Sequence, residues 1–154
     1  MRKIINSNTG DNDPDQSRTG EKMSTFATTE EAREYFKNDL FASRAGMQLD
    51  ELTRDSAVCS VAITEALQNA NGGVMGGAIF TLADLAFAVT ANNIHSLSVA
   101  SQVSINYLSA PKGSKLIAKA KCIKDGKTTS VITVNISDDT GRDVALFTGT
   151  AFKL

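Results

Sequence analysis

The sequence predicts an α+β fold: an antiparallel sheet of about six strands wrapped on one long buried helix, with a short helix near the N-terminus. Three observations carry this. The apolar stretch that begins at Gly76-Gly77 and ends around Asn92-Asn93 is rich in Ala, Leu and Phe. Its length favours a helix over a strand, and because it is apolar nearly all round, that helix should be covered. Segments on both sides of it alternate in character with a period of two, the pattern of half-buried strands. The breaks among the later segments are Ala110-Pro111-Lys112-Gly113, Asp125-Gly126 and Asp138-Asp139-Thr140-Gly141, all turn formers.

Taken in order, residues 1–24 read as a flexible arm, because residues 6–24 have almost nothing to bury. Residues 25–154 form a single domain. A capping box opens at Thr28 with Glu31 at N3, and Ala32, Tyr35, Phe36, Leu40 and Phe41 keep helical spacing, predicting one short amphipathic helix that ends near residues 43–46. Residues 47–52 and 57–67 alternate. Val58, Ser60, Ala62 and Thr64 share one face, with Cys59, Val61, Ile63 and Glu65 on the other, so two antiparallel strands joined at 53–56 fit. A polar turn over 68–73 leads into the central helix. Four further strands follow at 97–108, 115–124, 127–137 and 144–153, with Asp125-Gly126 signalling a two-residue hairpin.

Composition narrows the function. A chain of 154 residues suits one domain of ordinary size with a real core. Lys plus Arg total 16 against 17 Asp plus Glu, a formal net charge of -1, so no global field favours nucleic acid or an anionic membrane. Cys59 and Cys122 lie far apart, without metal-ligand spacing, in strand-like stretches, and read as reduced core residues of a cytoplasmic protein. The N-terminus turns polar after Ile5 and lacks the apolar core of a signal peptide, and no apolar run approaches the roughly 20 residues of a membrane span.

Between Glu65 and Lys112 the one formally charged residue is Asp84, in the middle of the apolar helix. A carboxylate there loses hydration that nothing nearby in sequence replaces, so it is either paired by the fold or placed for chemistry. The stretch from Asn69 to Asp84 then shows a motif: Asn69, six residues on Met75-Gly76-Gly77, then a helix containing Leu82-Ala83-Asp84 followed by small and apolar residues. This resembles the hotdog-fold acyl-CoA thioesterases, especially the phenylacetate-degradation branch. The resemblance continues through Val103 to Gly113, the hairpin Lys124-Asp125-Gly126-Lys127 and the closing Val144-Ala145-Leu146-Phe147-Thr148-Gly149-Thr150-Ala151, and so covers roughly residues 28–154. It implies a hotdog fold, hydrolysis of a small or medium acyl-CoA to acid and CoA, and no metal or redox cofactor, coenzyme A being part of the substrate. It also implies a homodimer with composite sites, or a dimer of dimers, in which antiparallel central helices bring the carboxylate of one subunit to the glycine loop of the other.

Thioester hydrolysis needs a base or nucleophile, donors for the developing oxyanion and an acyl pocket. Asp84 supplies the carboxylate, as general base toward water or as nucleophile forming a mixed anhydride, and the sequence leaves both open. Gly76 supplies an unencumbered N–H at the positive end of the helix dipole, and Asn69 an amide that positions water or the carbonyl. Met75, Gly77, Ala88 and Ser101 join them as substrate-binding candidates, although Ala100 aligns most directly with the polar residue of relatives. Lys112, Lys115, Lys124 and Lys127 sit where a CoA phosphate could dock, with solvated lysines as the plain alternative. One departure from the family stands out: Met75 occupies the position of the usual histidine, and a thioether cannot donate or carry a proton. His95, the single histidine, lies near the far end of the helix, which removes the His-and-acid pairing a hydratase would use. The alternative from another class is a non-catalytic hotdog module that binds an acyl-CoA or other thioester, which Met75 favours and Asp84, Asn69 and Gly76 oppose.

Overall fold

The computed structural model describes residues 23–154, so the predicted arm lies outside the described residues as far as residue 22. Helix α1 spans Thr29–Phe36, with the Thr28 hydroxyl accepting the Glu31 N–H at 3.1 Å and the Glu31 carboxylate accepting the Ala27 N–H at 2.8 Å. The single predicted helix is in fact two. α1 stops at Lys37, and α2 occupies Leu40–Arg44. The break has a local cause: Asn38 donates both its backbone N–H and its side-chain amide to the Tyr35 carbonyl, a turn that competes with the helical ladder. Gly46, at φ +81, turns the chain out of α2.

Strand β1 is Gln48–Leu52 and β2 is Ser56–Ala62. The expected strand to residue 67 ends five residues early, because Glu65–Leu67 coils into a 3-10 turn that buries Leu67. Helix α3, Gly76–Ile94, is followed by β3 Ser98–Tyr107, β4 Lys115–Asp125, β5 Thr129–Asp138 and β6 Asp143–Lys153. The six strands form one sheet in the order β1-β2-β4-β5-β6-β3, every neighbouring pair antiparallel. Alternate residues of the inner strands (Ala57, Cys59 and Val61; Leu116, Ala118 and Ala120; Ile132, Val134 and Ile136) are buried with Leu82, Ala86, Phe87 and Val89 of α3 in one core.

Three details correct the sequence reading. The hairpin forms, but Asp125-Gly126 is not its turn: Asp125 pairs with Ser130 and Gly126 donates to the Thr129 carbonyl, so the turn falls one step later at 127–128, and Gly126 does not take the positive φ a primed turn would ask of it. Asp125 is held in the strand by Lys153 and Ser130. By length and composition alone the 19-residue α3 is apolar enough to cross a bilayer, contrary to the expectation that no run approaches that size. Its apolar content belongs to a core helix packed under the sheet. Nor do the described residues cover α3 on every side, since Gly77, Thr81, Asp84 and Ala88 are not buried.

Both ends of the described chain are fastened near the C-terminal end of α3. The Asn93 carbonyl accepts the Thr25 N–H at 2.8 Å, its side chain accepts the Phe26 N–H and donates to the Thr53 and Arg54 carbonyls, and the Leu154 N–H reaches the Leu97 carbonyl at 3.0 Å. The Asp138-Asp139 turn is a clasp. The buried Asp138 carboxylate accepts the Thr140 hydroxyl and the N–H groups of Lys112, Gly113, Thr140 and Arg142, which together hold it well below the usual carboxylate range, the Thr140 hydroxyl contributing most. A methyl group on Gly149 of β6 would meet the buried Phe87 ring at 2.6 Å. Gly149→Ala is therefore expected to cost about 1–3 kcal/mol of stability through overpacking, read as a lower urea midpoint with an unchanged slope.

Candidate functional site

The candidate residues gather at two places along α3. The first is its N-terminus. Residues 68–74 form a loop closed by a bridge between Gln68 and Val74, in which Gly72 takes a φ of +77. Asn69 organises that loop: its N–H donates to the Gly73 carbonyl at 2.8 Å, and its Oδ1 accepts the N–H groups of Asn71 at 2.9 Å and Gly73 at 3.2 Å. The Asn69 carbonyl oxygen is thus engaged within its own turn, and Nδ2 is left as the donor that can face a ligand. The Met75 N–H donates to the Leu67 carbonyl at 2.8 Å and seats the loop on the start of the helix.

Met75 is the N-cap of α3 and 55% exposed, and its side chain caps nothing. Its carbonyl accepts the N–H groups of Ala78 at 2.9 Å and Ile79 at 3.3 Å. The N–H groups of Gly76 and Gly77 have no acceptor among the described residues, as expected for the first residues of a helix, and sit at the positive end of the dipole. Sequence reasoning missed one residue here. The Tyr107 hydroxyl donates to the Gly76 carbonyl at 2.9 Å, and a Cβ on Gly76 would lie 3.2 Å from both Cζ and Oη of Tyr107. The available signal was register: Val103, Ile105 and Tyr107 alternate on β3 opposite Gly149, Phe147 and Ala145, residues whose side of β6 faces the core.

The second place is Asp84, eight residues along the helix and so about 12 Å from Gly76 by the rise of 1.5 Å per residue. It is half-buried, and no side chain or N–H among the described residues donates to its carboxylate. Burial pushes its pKa above the ordinary aspartate range, and the negative charge of Asp39 at the start of α2 adds to the rise. Gly77, Thr81, Asp84 and Ala88 share one helix face, and none of them is buried, whereas Leu82, Ala83, Leu85, Ala86 and Phe87 between them are. One long face of small residues around a carboxylate is thus left uncovered by the other described residues. Leu85 contributes to a cavity of ≈ 280 Å³ between α1, α2, β1 and α3, whose apolar lining includes Phe36, Met47 and Leu49.

A single chain does not bring the candidates into one constellation. Asn69, Met75, Gly76 and Gly77 meet at the helix start; Asp84 and Ala88 lie two and three turns away. Ser101 sits at a bulge in β3 with its hydroxyl donated to the Thr150 carbonyl at 3.1 Å. His95 caps the opposite end of α3, roughly 28 Å from Gly76 by the same rise. Strand β3 is one of the two sheet edges, β1 being the other: it pairs with β6 on one side, has no strand on the other among the described residues, and leaves Val99 and Tyr107 exposed.

Residues 71–145 match the family model described as the thioesterase superfamily. The acyl-coenzyme A thioesterase PaaI of Escherichia coli K12 is 31% identical to this chain over 124 residues, 80% of this chain and 89% of PaaI. The chain belongs to the thioesterase superfamily. The solved structure of the E. coli PaaI protein from the phenylacetic acid degradation operon superposes with a TM-score of 0.76 at 29% identity, covering 81% of this chain and 91% of that one. A hypothetical thioesterase protein of Streptococcus pneumoniae TIGR4, solved with coenzyme A, gives a TM-score of 0.70 at 30% identity, over 76% of this chain and 94% of that one. The sheet wrapped on α3 is the hotdog fold of these superfamily members, and the chain is a thioester hydrolase.

Proposed function

We propose that this superfamily member hydrolyses small or medium acyl-CoA thioesters to free acid and CoA, with the Asp84 carboxylate acting on water or on the carbonyl carbon and the Gly76 N–H receiving the oxyanion. The observation that carries the reading is Asp84 itself. It is a half-buried carboxylate without a donor among the described residues, on an open helix face, and burial has raised its proton affinity toward the range useful to a base. As a base it takes a proton from water while the hydroxide oxygen bonds to the carbonyl carbon, and collapse of the tetrahedral intermediate expels CoA thiolate. As a nucleophile it bonds to the carbonyl carbon, expels the thiolate, and leaves an anhydride that water cleaves. Neither route needs a metal or redox cofactor.

A thioester carbonyl must lie about 3 Å from the donor and within direct reach of the acid or one water away from it, which about 12 Å within one helix forbids. We therefore infer a homodimer, or a dimer of dimers, whose antiparallel α3 helices set Asp84 of one protomer beside the glycine start of its partner. The uncovered face around Thr81 and Ala88 and the unpaired edge of β3 support it. Asn69 Nδ2 serves the water or carbonyl; Met75, Gly77, Ala88 and Ser101 border the substrate. The cavity beside Leu85 is slightly smaller than the roughly 300–1,000 Å³ of drug-sized pockets, which suits a short acyl group. The unpaired Cys59 and Cys122 thiols fit a reducing cytoplasm.

Exposed Met75, which can neither donate nor carry a proton, favours the second reading, a module that binds an acyl-CoA without cleaving it. A thiol-release assay over aliphatic and aromatic acyl-CoAs separates the two, since binding without release supports the module. Under the hydrolytic reading the base acts only when ionised, so activity rises with pH along an acid limb placed above the ordinary aspartate pKa of about 3.9. Asp39→Asn removes a negative charge that opposes ionisation of Asp84 and is expected to move that limb to lower pH. A limb at or below the ordinary value, or one indifferent to Asp39, contradicts the assignment.

A further inference from the structure

The glycine start of α3 is held by two anchors of different origin. The peptide between Met75 and Gly76 is fixed from within the helix, because the Met75 carbonyl accepts the N–H groups of Ala78 and Ile79. The next peptide carries the Gly76 carbonyl and the Gly77 N–H in one rigid plane. That carbonyl enters the helical ladder too, and from outside the helix it is met by the Tyr107 hydroxyl, 31 residues away in sequence, at 2.9 Å. A Cβ on Gly76 would press on Cζ and Oη of that phenol at 3.2 Å, so the phenol fills the space a side chain would need. Gly76 has no positive φ, and its lack of a side chain is explained by this close approach. The N-cap contributes no hold of its own, since Met75 makes no side-chain cap bond.

We propose that Tyr107 is a positioning residue for the oxyanion donors: its hydroxyl bond to the Gly76 carbonyl fixes the plane of the Gly76–Gly77 peptide and so the direction of the Gly77 N–H beside that of Gly76. The proposal rests on the thioesterase reading above. Two adjacent N–H groups receive an oxyanion well only if they already point at it, and a glycine pair has more backbone freedom than any other to point elsewhere. As the first helical residue Gly76 also gives its carbonyl to the helical ladder, so the phenol is a second hold, from outside the helix, on a peptide whose N–H is left free. Its bond is made in the resting protein, so nothing needs to reorganise when charge develops on the thioester oxygen.

The test is Tyr107→Phe in the full chain, which keeps the ring and removes one oxygen. With isotope-labelled protein, the carbonyl carbon resonance of Gly76 and the amide resonance of Gly77 are expected to shift, reporting loss of the anchor without reference to turnover. With an acyl-CoA the wild type hydrolyses, kcat is expected to fall about tenfold, KM to stay within about twofold, and the thermal midpoint to hold. Unshifted resonances, or shifted ones with unchanged kcat, overturn the proposal. A parallel fall in kcat and thermal midpoint also overturns it, in favour of a purely structural role. If the wild type hydrolyses no acyl-CoA, the thioesterase reading fails and takes the oxyanion role with it, while the resonances still decide whether the phenol anchors the glycine turn.

Discussion

Asp84→Asn is expected to lower thiol release by about 10²–10⁴-fold while acyl-CoA binding persists, as befits removal of a general base or nucleophile. The substitution is nearly isosteric and neutral, so it changes the ability to take a proton or attack a carbonyl and leaves the shape of the open helix face intact. Stability gives an independent check. The carboxylate receives no hydrogen bond from the described residues, and burial opposes its ionisation, so the neutral amide should leave the thermal midpoint at neutral pH unchanged or raise it. A variant that keeps most of its activity would remove Asp84 from the chemistry. A variant that loses stability as well would point to a partner that holds the carboxylate.

Separating the protomers is expected to abolish activity in step with the dimer, because each site would draw its acid and its oxyanion donor from different chains. Gln102→Lys combined with Ser104→Lys places two like charges at exposed positions in the middle of β3, where an antiparallel copy would set them against their own counterparts. Both positions are exposed, so the isolated chain should fold as before. Sedimentation across a concentration series should show the dimer weakened, with activity at low concentration falling by about tenfold or more and recovering as the dimer re-forms. Full activity in a species shown to be monomeric would refute the composite site.

Much of this architecture was legible from side-chain alternation. Cys59 and Val61 were placed together on one strand face, and they are the residues β2 turns to the core; the four later strands fall within a few residues of their expected bounds. What escaped was decided by local competition. Asn38 bonds back to Tyr35 and splits one helix in two, and a 3-10 turn at Glu65–Leu67 ends β2 early, although both stretches keep the spacing of the longer element. The position of Asn69 in the motif was readable, but the turning of its carbonyl oxygen into its own loop was not, since that depends on how residues 71–73 close. Alternation along β3 places Tyr107 with Val103 and Ile105, but its contact with Gly76 forms only when the end of β3 is folded onto the start of α3. The open face of α3 was equally hidden: a helix apolar nearly all round reads the same whether its last side is covered by its own sheet or by another surface.

The fastening of Thr25 to Asn93 and of Leu154 to Leu97 has a topological corollary. Both ends of the described chain are tied within a few residues of one another at one end of the central helix. A short linker from Leu154 to Met23 would make the described domain a ring, and that ring could be reopened at 126–128 without cutting any strand, giving a permuted domain with the same sheet order. The place where the polypeptide starts is therefore separable from the pairing that defines the fold, and the glycine turn, at the opposite end of the helix, is untouched by either choice.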